Sequence, residues 1–432
     1  MGTVLKGGVV VELEPATVER ADLRIEGERI VERAPELQPG PGDEVIALSG
    51  KLVLPGLVSA HSRLHAHLAR GLPQPQPPPD GYGAYQERVW WPYVSALDLD
   101  AVQAAAQAGA LEALQSGTTC LFDLHSSPRA VGGSLVRVAR ALHEVGVRSV
   151  LSYAVTDAAG PQGREEGLEE AVTFARKARG RFRGQVGAGP LSYLADDALQ
   201  ALAHAVAMTG RGIHLPLAED PLDEKLSQER YGAAPVSRLV GAGLLGPSSV
   251  LAHVGHLAWP ELSQVLTTGA WVVHTPRSNM GHEVGYAPAL KFGARASLGA
   301  DTLGADLFAE AQTAYLRSRE AGQPIDVLRY LANGHRLASQ VFDLPVGPLR
   351  AGAAADLMVL DYRPSTPMAP ENLAWHVVFG LSARHVEAVM VEGGWRVWAR
   401  RPLSVNPDVV ADQAREAAAH VWSRMQRPPP PT

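Results

Sequence analysis

Between Leu52 and Ala300, eight short apolar runs of strand length alternate with stretches of helical periodicity. The runs are Leu52–Val58, Thr119–Asp123, Arg148–Tyr153, Gly184–Ala188, Ile213–Ala218, Val250–His253, Ala270–His274 and Ala296–Ala300. Strand followed by helix, repeated, is the pattern of a parallel sheet with helical crossovers. Eight such units predict a (β/α)8 TIM barrel of the α/β class, with its chemistry at the C-terminal strand ends. The helical stretches carry their own stop signals. One starts after Asp98, sets Val102, Ala106, Ala110 and Leu114 in an i, i+4 row, and stops at Gly117. Another carries Leu135, Ala139, Leu142 and Val145 and stops at Gly146.

The flanks have a different pattern. Val9-Val10-Val11, Asp22–Ile25 and Arg29-Ile30-Val31 read as short strands, with turns at Glu26-Gly27 and Pro39–Gly42. Strand character returns at Asp356–Leu360, Val386–Val391 and Trp395-Arg396-Val397. Residues 1–52 and 345–405 are therefore expected to build one small composite β-sandwich beside a barrel at 53–344. Segment 406–432 is expected to hold a helix, roughly Asp408–Met425, and a loose Pro-rich tail from Arg427.

A chain of 432 residues is long enough for this arrangement. Its net charge of −6 gives no nucleic-acid footprint, and no apolar run reaches membrane-spanning length. The single cysteine, Cys120, lies in an apolar run and reads as a small buried hydrophobe. With no basic and apolar leader, a cytoplasmic location is expected. The first strand–helix connection is long and contains Pro73–Pro79 and Trp90-Trp91-Pro92. It reads either as a lid or subunit contact, or as a solvated insertion with two tryptophans packed on the barrel.

Polar residues stand at most of the strand ends. They are His61 and Arg63, Asp123 and His125, His214 and Glu219, His253 and His256, His274 with Ser278 and Asn279, and Asp301. A metal-dependent hydrolase needs imidazoles and a carboxylate around an ion, an open position for water, and a nearby proton carrier. His61, Glu219, His253 and Asp301 are the right types on converging strands. Each has a plainer reading. Asp301 could cap the next helix, Glu219-Asp220 could be an acidic first turn, and a histidine at a strand end is often a hydrogen-bonded core residue. His143, His204 and His420 fall on helical stretches and read as solvated or structural.

Leu52–Gly71, with Pro55-Gly56-Leu57-Val58 and Ala69-Arg70-Gly71, resembles the first-strand motif of the amidohydrolase superfamily. More narrowly, it resembles the cytosine and guanine deaminase and atrazine chlorohydrolase branch. Ser127-Pro128, Gly132–Leu135, Ala218-Glu219-Asp220, Ser278-Asn279-Met280, Val284-Gly285-Tyr286 and Leu298-Gly299 before Asp301 are similar to SsnA-type aminohydrolases. Gly352 and Ala355-Asp356-Leu357 resemble the same group's C-terminal β motif.

The resemblance implies metal ligands at His61, Arg63, Pro216 and Asp301, of which Arg63 and Pro216 cannot serve. It implies Glu219 as proton carrier, with His253 and Asp301 as the other catalytic residues. His125, Ser278 and Asn279 are expected to bind substrate. A further histidine expected after the second strand falls on Leu124, beside His125, and one after the fourth strand falls near Gly189. The divalent zinc or iron that the family uses is thus expected to be absent or weakly held. Arg63 is expected within hydrogen-bonding reach of Asp301 or Glu219, neutralising them in the ion's place. Pro216 should force its strand to bend or bulge.

Three functional readings follow. The chain is a hydrolase of a non-peptide C–N bond in a small nitrogen compound, a non-catalytic binder descended from one, or a structural subunit. The expected partners are a small molecule and a second copy of the chain.

Overall fold

A computed structural model describes residues 2–425. The tail expected to be loose from Arg427 lies outside the described residues. Eight parallel strands pair in sequence order: β1 (Leu57–Ser62), β2 (Thr118–His125), β3 (Arg148–Val155), β4 (Phe182–Ala188), β5 (Ile213–Leu217), β6 (Val250–His253), β7 (Trp271–His274) and β8 (Ala296–Leu298). With helices in the connections they form the expected TIM barrel. The barrel closes where Ser62 bridges Asp301 in parallel register. The Asp301 and Ala300 amides donate to the His61 carbonyl at 3.1 and 2.9 Å, and the Arg63 amide donates to the Asp301 carbonyl at 3.0 Å. Both ends of the closure therefore lie beside residues singled out for chemistry.

The run Leu52–Val58 is two strands. Leu52–Pro55 pairs antiparallel with Leu357–Leu360 and parallel with Val9-Val10, in the small domain. β1 begins only at Leu57. The break falls at Gly56, where any Cβ would collide with the Thr119 side chain. An apolar run buried at both ends looks continuous in sequence because neither half shows an alternating face.

The small domain has a four-stranded sheet from Thr3–Lys6, Asp22–Glu26, Arg29–Ala34 and Glu44–Ala47. A seven-stranded sheet combines Val9–Leu13, Ala16–Arg20 and Leu52–Pro55 with four strands between Leu357 and Pro402. Leu5, Val10, Leu23, Ile30, Leu357, Val359 and Met390 share its core, so neither terminal segment buries its apolar face alone. Pro407–Met425 is helical, and its Trp422 donates to the Leu68 carbonyl at 2.9 Å, fastening it to the barrel.

Pro216 does not produce a bulge. Register from His214 to Leu217 against β6 is unbroken. Pairing to β4 ends at His214, so the missing donor falls beyond the paired segment on that side.

A buried ion network joins the two parts. Arg148, on β3, meets Asp356 at 2.7 Å through Nε and 3.2 Å through a terminal nitrogen. Asp356 also accepts from the Glu392 amide at 2.8 Å, while Arg181 pairs with Glu392 at 2.8 Å. Arg148 and Asp356 are 3 and 0 % exposed, so removing one partner strands a charge away from water. Asp356→Ala is expected to cost about 3–5 kcal/mol, measured as a lower urea midpoint by circular dichroism.

Candidate active site

Backbone strain marks the barrel mouth. Ala218, His253, Val254 and Asp301 adopt left-handed backbone angles, with φ of 47°, 70°, 51° and 48°. Non-glycine residues rarely hold this conformation without support, and such positions concentrate at functional sites. Here the turns sit where β5, β6 and β8 end, and the side chains of His253 and Asp301 are buried.

Asp301 is the hub. Its Oδ1 is 3.1 Å from His61 Nε2 and 3.0 Å from Arg63 Nε, and its Oδ2 accepts from the Ser278 hydroxyl. Burial works to raise its pKa, but the Arg63 charge and the His61 hydrogen bond overturn that and hold the carboxyl well below its usual range. Asp301 is not a helix cap, because Asp306 caps the helix Leu307–Glu320. Behind His61, the Nδ1 atom lies 2.8 Å from His214 Nε2. Burial lowers the His61 pKa to about 4, so the ring is neutral and carries one proton. The carboxylate demands that proton on Nε2, leaving Nδ1 to accept from His214.

Glu219 stands on the other side of Arg63, with Oε2 3.5 Å from both the guanidinium and His253 Nε2. Burial again pushes upward, and His253 and Arg63 outweigh it, leaving the carboxyl below its ordinary value. The helix start at Pro221 is capped by Asp220, so the two adjacent acids divide the roles that sequence left open. His253 Nδ1 is held by Asn279 Oδ1 and Thr275 Oγ1, each at 2.9 Å.

A cavity of about 580 Å³ opens beside this cluster, in the size range of small-molecule sites. Its walls include Arg63, His65, Tyr82, Trp90, Leu124 and Pro216. Arg63 lines the cavity and pairs with both carboxylates, and its guanidinium lies 5.9 Å from the Trp90 ring centroid. The long first connection folds into helical turns over 81–96, and both its tryptophans line the cavity. Trp91 packs edge-on against Tyr193 at 4.9 Å.

The expected substrate-binding residues sit one layer behind the wall. His125 turns to Ser127 at 2.8 Å, while its neighbour Leu124 faces the cavity, as strand alternation requires. Ser278 and Asn279 hold Asp301 and His253 in place. The position near Gly189 contributes only Gly189 and Pro190 to the wall. His143, His204 and His420 are exposed on helices, as expected, and Cys120 is buried. The sequence placed His214 at a strand end without a role and gave His65 and Tyr82 none. Tyr82 lies in the long connection, where no periodic signal marks an inward-facing residue.

The donor set can be tested against the ion used by related folds. His61, His253 and Asp301 each offer one ligand atom within 4.8 Å of the others. An ion held by them would have to displace contacts already made, because Asp301 Oδ1 lies against both Arg63 Nε and His61 Nε2. Pro216 supplies no replacement ligand.

The amidohydrolase family pattern matches residues 52–396. The chain belongs to the amidohydrolase family. It is 27 % identical over 395 residues to a 5'-deoxyadenosine deaminase of Methanothermobacter thermautotrophicus, covering 88 % of this chain and 90 % of that one. It is 28 % identical over 444 residues to a 5-methylthioadenosine/S-adenosylhomocysteine deaminase of Haloarcula marismortui, covering 98 % of each. Its fold matches a zinc-bound adenosine deaminase from Xanthomonas campestris with TM-score 0.86 at 19 % identity, covering 98 % of each chain. It also matches the zinc complex of atrazine chlorohydrolase TrzN from Arthrobacter aurescens TC1 with TM-score 0.82 at 20 % identity, covering 96 % of this chain and 100 % of that one. No helix among the described residues is long and apolar enough to cross a membrane.

Asp123 gives a pH-dependent readout close to the site. It is buried, accepts from the Leu64 amide at 2.7 Å, and leaves its second oxygen without a partner. Burial raises its pKa to about 7. A raised carboxyl stabilises the fold while protonated, and this contribution is lost as pH rises through the folded-state value. The wild type should therefore lose on the order of 2 kcal/mol between about pH 5 and pH 8 relative to Asp123→Asn. Chemical denaturation of both proteins at the two pH values measures the difference.

Proposed function

We propose that this amidohydrolase-family chain hydrolyses a non-peptide C–N bond in a small, flat nitrogen heterocycle, as an aminohydrolase working without a divalent ion. The observation that carries the reading is the retention of Glu219, His253 and Asp301 around Arg63, with Glu219 Oε2 3.5 Å from both His253 and the guanidinium. The deaminase names of its relatives support a substrate bearing an amino-substituted ring. The aromatic cavity suits the flat face of such a ring.

In this reading Glu219 takes a proton from water as its oxygen adds to the amino-bearing ring carbon. It returns the proton to the leaving nitrogen, so that a C–O bond forms, the C–N bond breaks and ammonia departs. Arg63 supplies the fixed positive charge, and Asp301 and His61 hold it. For Glu219 to meet substrate, the Arg63 guanidinium has to swing off Glu219 toward Trp90 while keeping its contact with Asp301. A metal ion lowers the pKa of its water to about 7, and a guanidinium does not. Turnover is therefore expected to be slower than in zinc-dependent relatives by several orders of magnitude.

A second reading, a non-catalytic binder of the same ligands, is favoured by one observation: Arg63 lines the cavity and pairs with both carboxylates, neither of which lines it. Ammonia release from aminopyrimidines, adenine derivatives and aminotriazines decides between them. Slow release abolished by Glu219→Gln supports hydrolysis, whereas binding without release in either protein supports the binder.

Metal content is expected below about 0.1 ion per chain after expression with added zinc or iron. Arg63→His with Pro216→His should raise it to about one, while Arg63→His alone should not. About one tightly held ion in the wild type would overturn the metal-free reading.

A further inference from the structure

One residue on the cavity wall has no role in the chemistry above. His65 follows Arg63 by two positions, in a short helical turn that begins at Leu64. It is 1 % exposed, yet both its ring nitrogens lack a hydrogen-bond partner. Its surroundings hold it firmly. The ring packs against Trp90 at 5.5 Å and edge-on to His125 at 5.2 Å, and its carbonyl accepts from the Tyr93 hydroxyl. A buried imidazole with neither nitrogen paired is costly, because its donor and acceptor have given up water for nothing. The same residue lines the cavity between Arg63 and Trp90.

We propose that His65 is the hydrogen-bonding anchor for a ligand's ring in this cavity, meeting a ring nitrogen or exocyclic polar group of a flat nitrogen heterocycle. The proposal rests on the reading that the cavity takes such heterocycles, and it adds the residue that selects them. Three features fit together. The His65 ring is buried with both nitrogens unpaired, so the neutral imidazole offers one donor and one acceptor to a ligand. The indoles of Trp90 and Trp91 and the ring of Tyr193 offer flat aromatic surface on the cavity walls. Apolar Pro216 and Leu124 share the wall, and His65 is the one histidine among the cavity's lining residues. A site built to pair with polar ring atoms rejects the hydrocarbon analogue, because its own buried groups then stay unpaired.

The test is isothermal titration of the full chain with aminopyrimidine, adenine and aniline. Aniline has the same amino-substituted six-membered ring as aminopyrimidine but no ring nitrogens. Wild type is expected to prefer aminopyrimidine over aniline by about tenfold. His65→Phe should abolish that preference while leaving aniline affinity within about twofold, a pattern that general damage to the wall would not give. An unchanged preference in folded His65→Phe overturns the anchor and leaves the heterocycle reading standing. Failure of wild type to bind either heterocycle overturns both.

Should His65→Phe not fold, ring-nitrogen NMR of histidine-labelled wild type replaces it. Saturation with aminopyrimidine is expected to shift the His65 ring nitrogens, and aniline is not. Bound aminopyrimidine that leaves those nitrogens unmoved overturns the proposal.

Discussion

The contact between Arg63 and Asp301 is the constraint around which this site is arranged. It lies where the first and last barrel strands meet, so the same few residues close the sheet and set the electrostatics of its mouth. Two buried carboxylates, Asp301 and Glu219, share one guanidinium. Without a positive charge at that point both would face the desolvation cost alone. His61 and Ser278 bond Asp301, His214 pairs with His61 behind it, and Asn279 and Thr275 hold His253 Nδ1. The cluster is therefore arranged around a cationic side chain, with Glu219 Oε2 and His253 Nε2 buried and left without hydrogen-bond partners.

That arrangement has a functional consequence. A divalent ion both binds ligands and acidifies water, whereas a guanidinium neutralises charge and donates hydrogen bonds. The scaffold holds a barrel mouth, a buried glutamate beside a histidine, and an aromatic cavity of small-molecule size. The long connection through Trp90 and Trp91 covers that cavity rather than standing off in solvent. On the proposed reading, ligand selectivity falls to the cavity wall and the chemistry to Glu219, His253 and Asp301.

Below the barrel mouth the fold depends on joining its two parts. The Arg148–Asp356–Glu392–Arg181 network does this by charge, and an apolar cluster in which Met358 and Val389 pack with barrel residues does it by burial. The split at Gly56 is the covalent counterpart, where the chain passes from small domain to barrel without leaving the interior.

The sequence by itself determined the barrel, because strand and helix periods are local properties that repeat along the chain. It also determined which residue types stand at each strand end, and hence that Arg63 and Pro216 cannot ligate a metal. The pairing of Arg63 with Asp301 was legible too, since two buried carboxylates need a counter-charge. The sequence did not reveal the break at Gly56, because a run buried on every side has no face to change. It did not decide between Asp301 as cap and Asp301 as hub, or between Glu219 and Asp220, since each choice depends on which way a turn points. Tertiary structure alone put His125 behind the wall and Leu124 on it, paired His214 with His61, and left His65 unpartnered beside the cavity. Those facts arise from contacts between strands far apart in the chain, and local pattern carries no record of them.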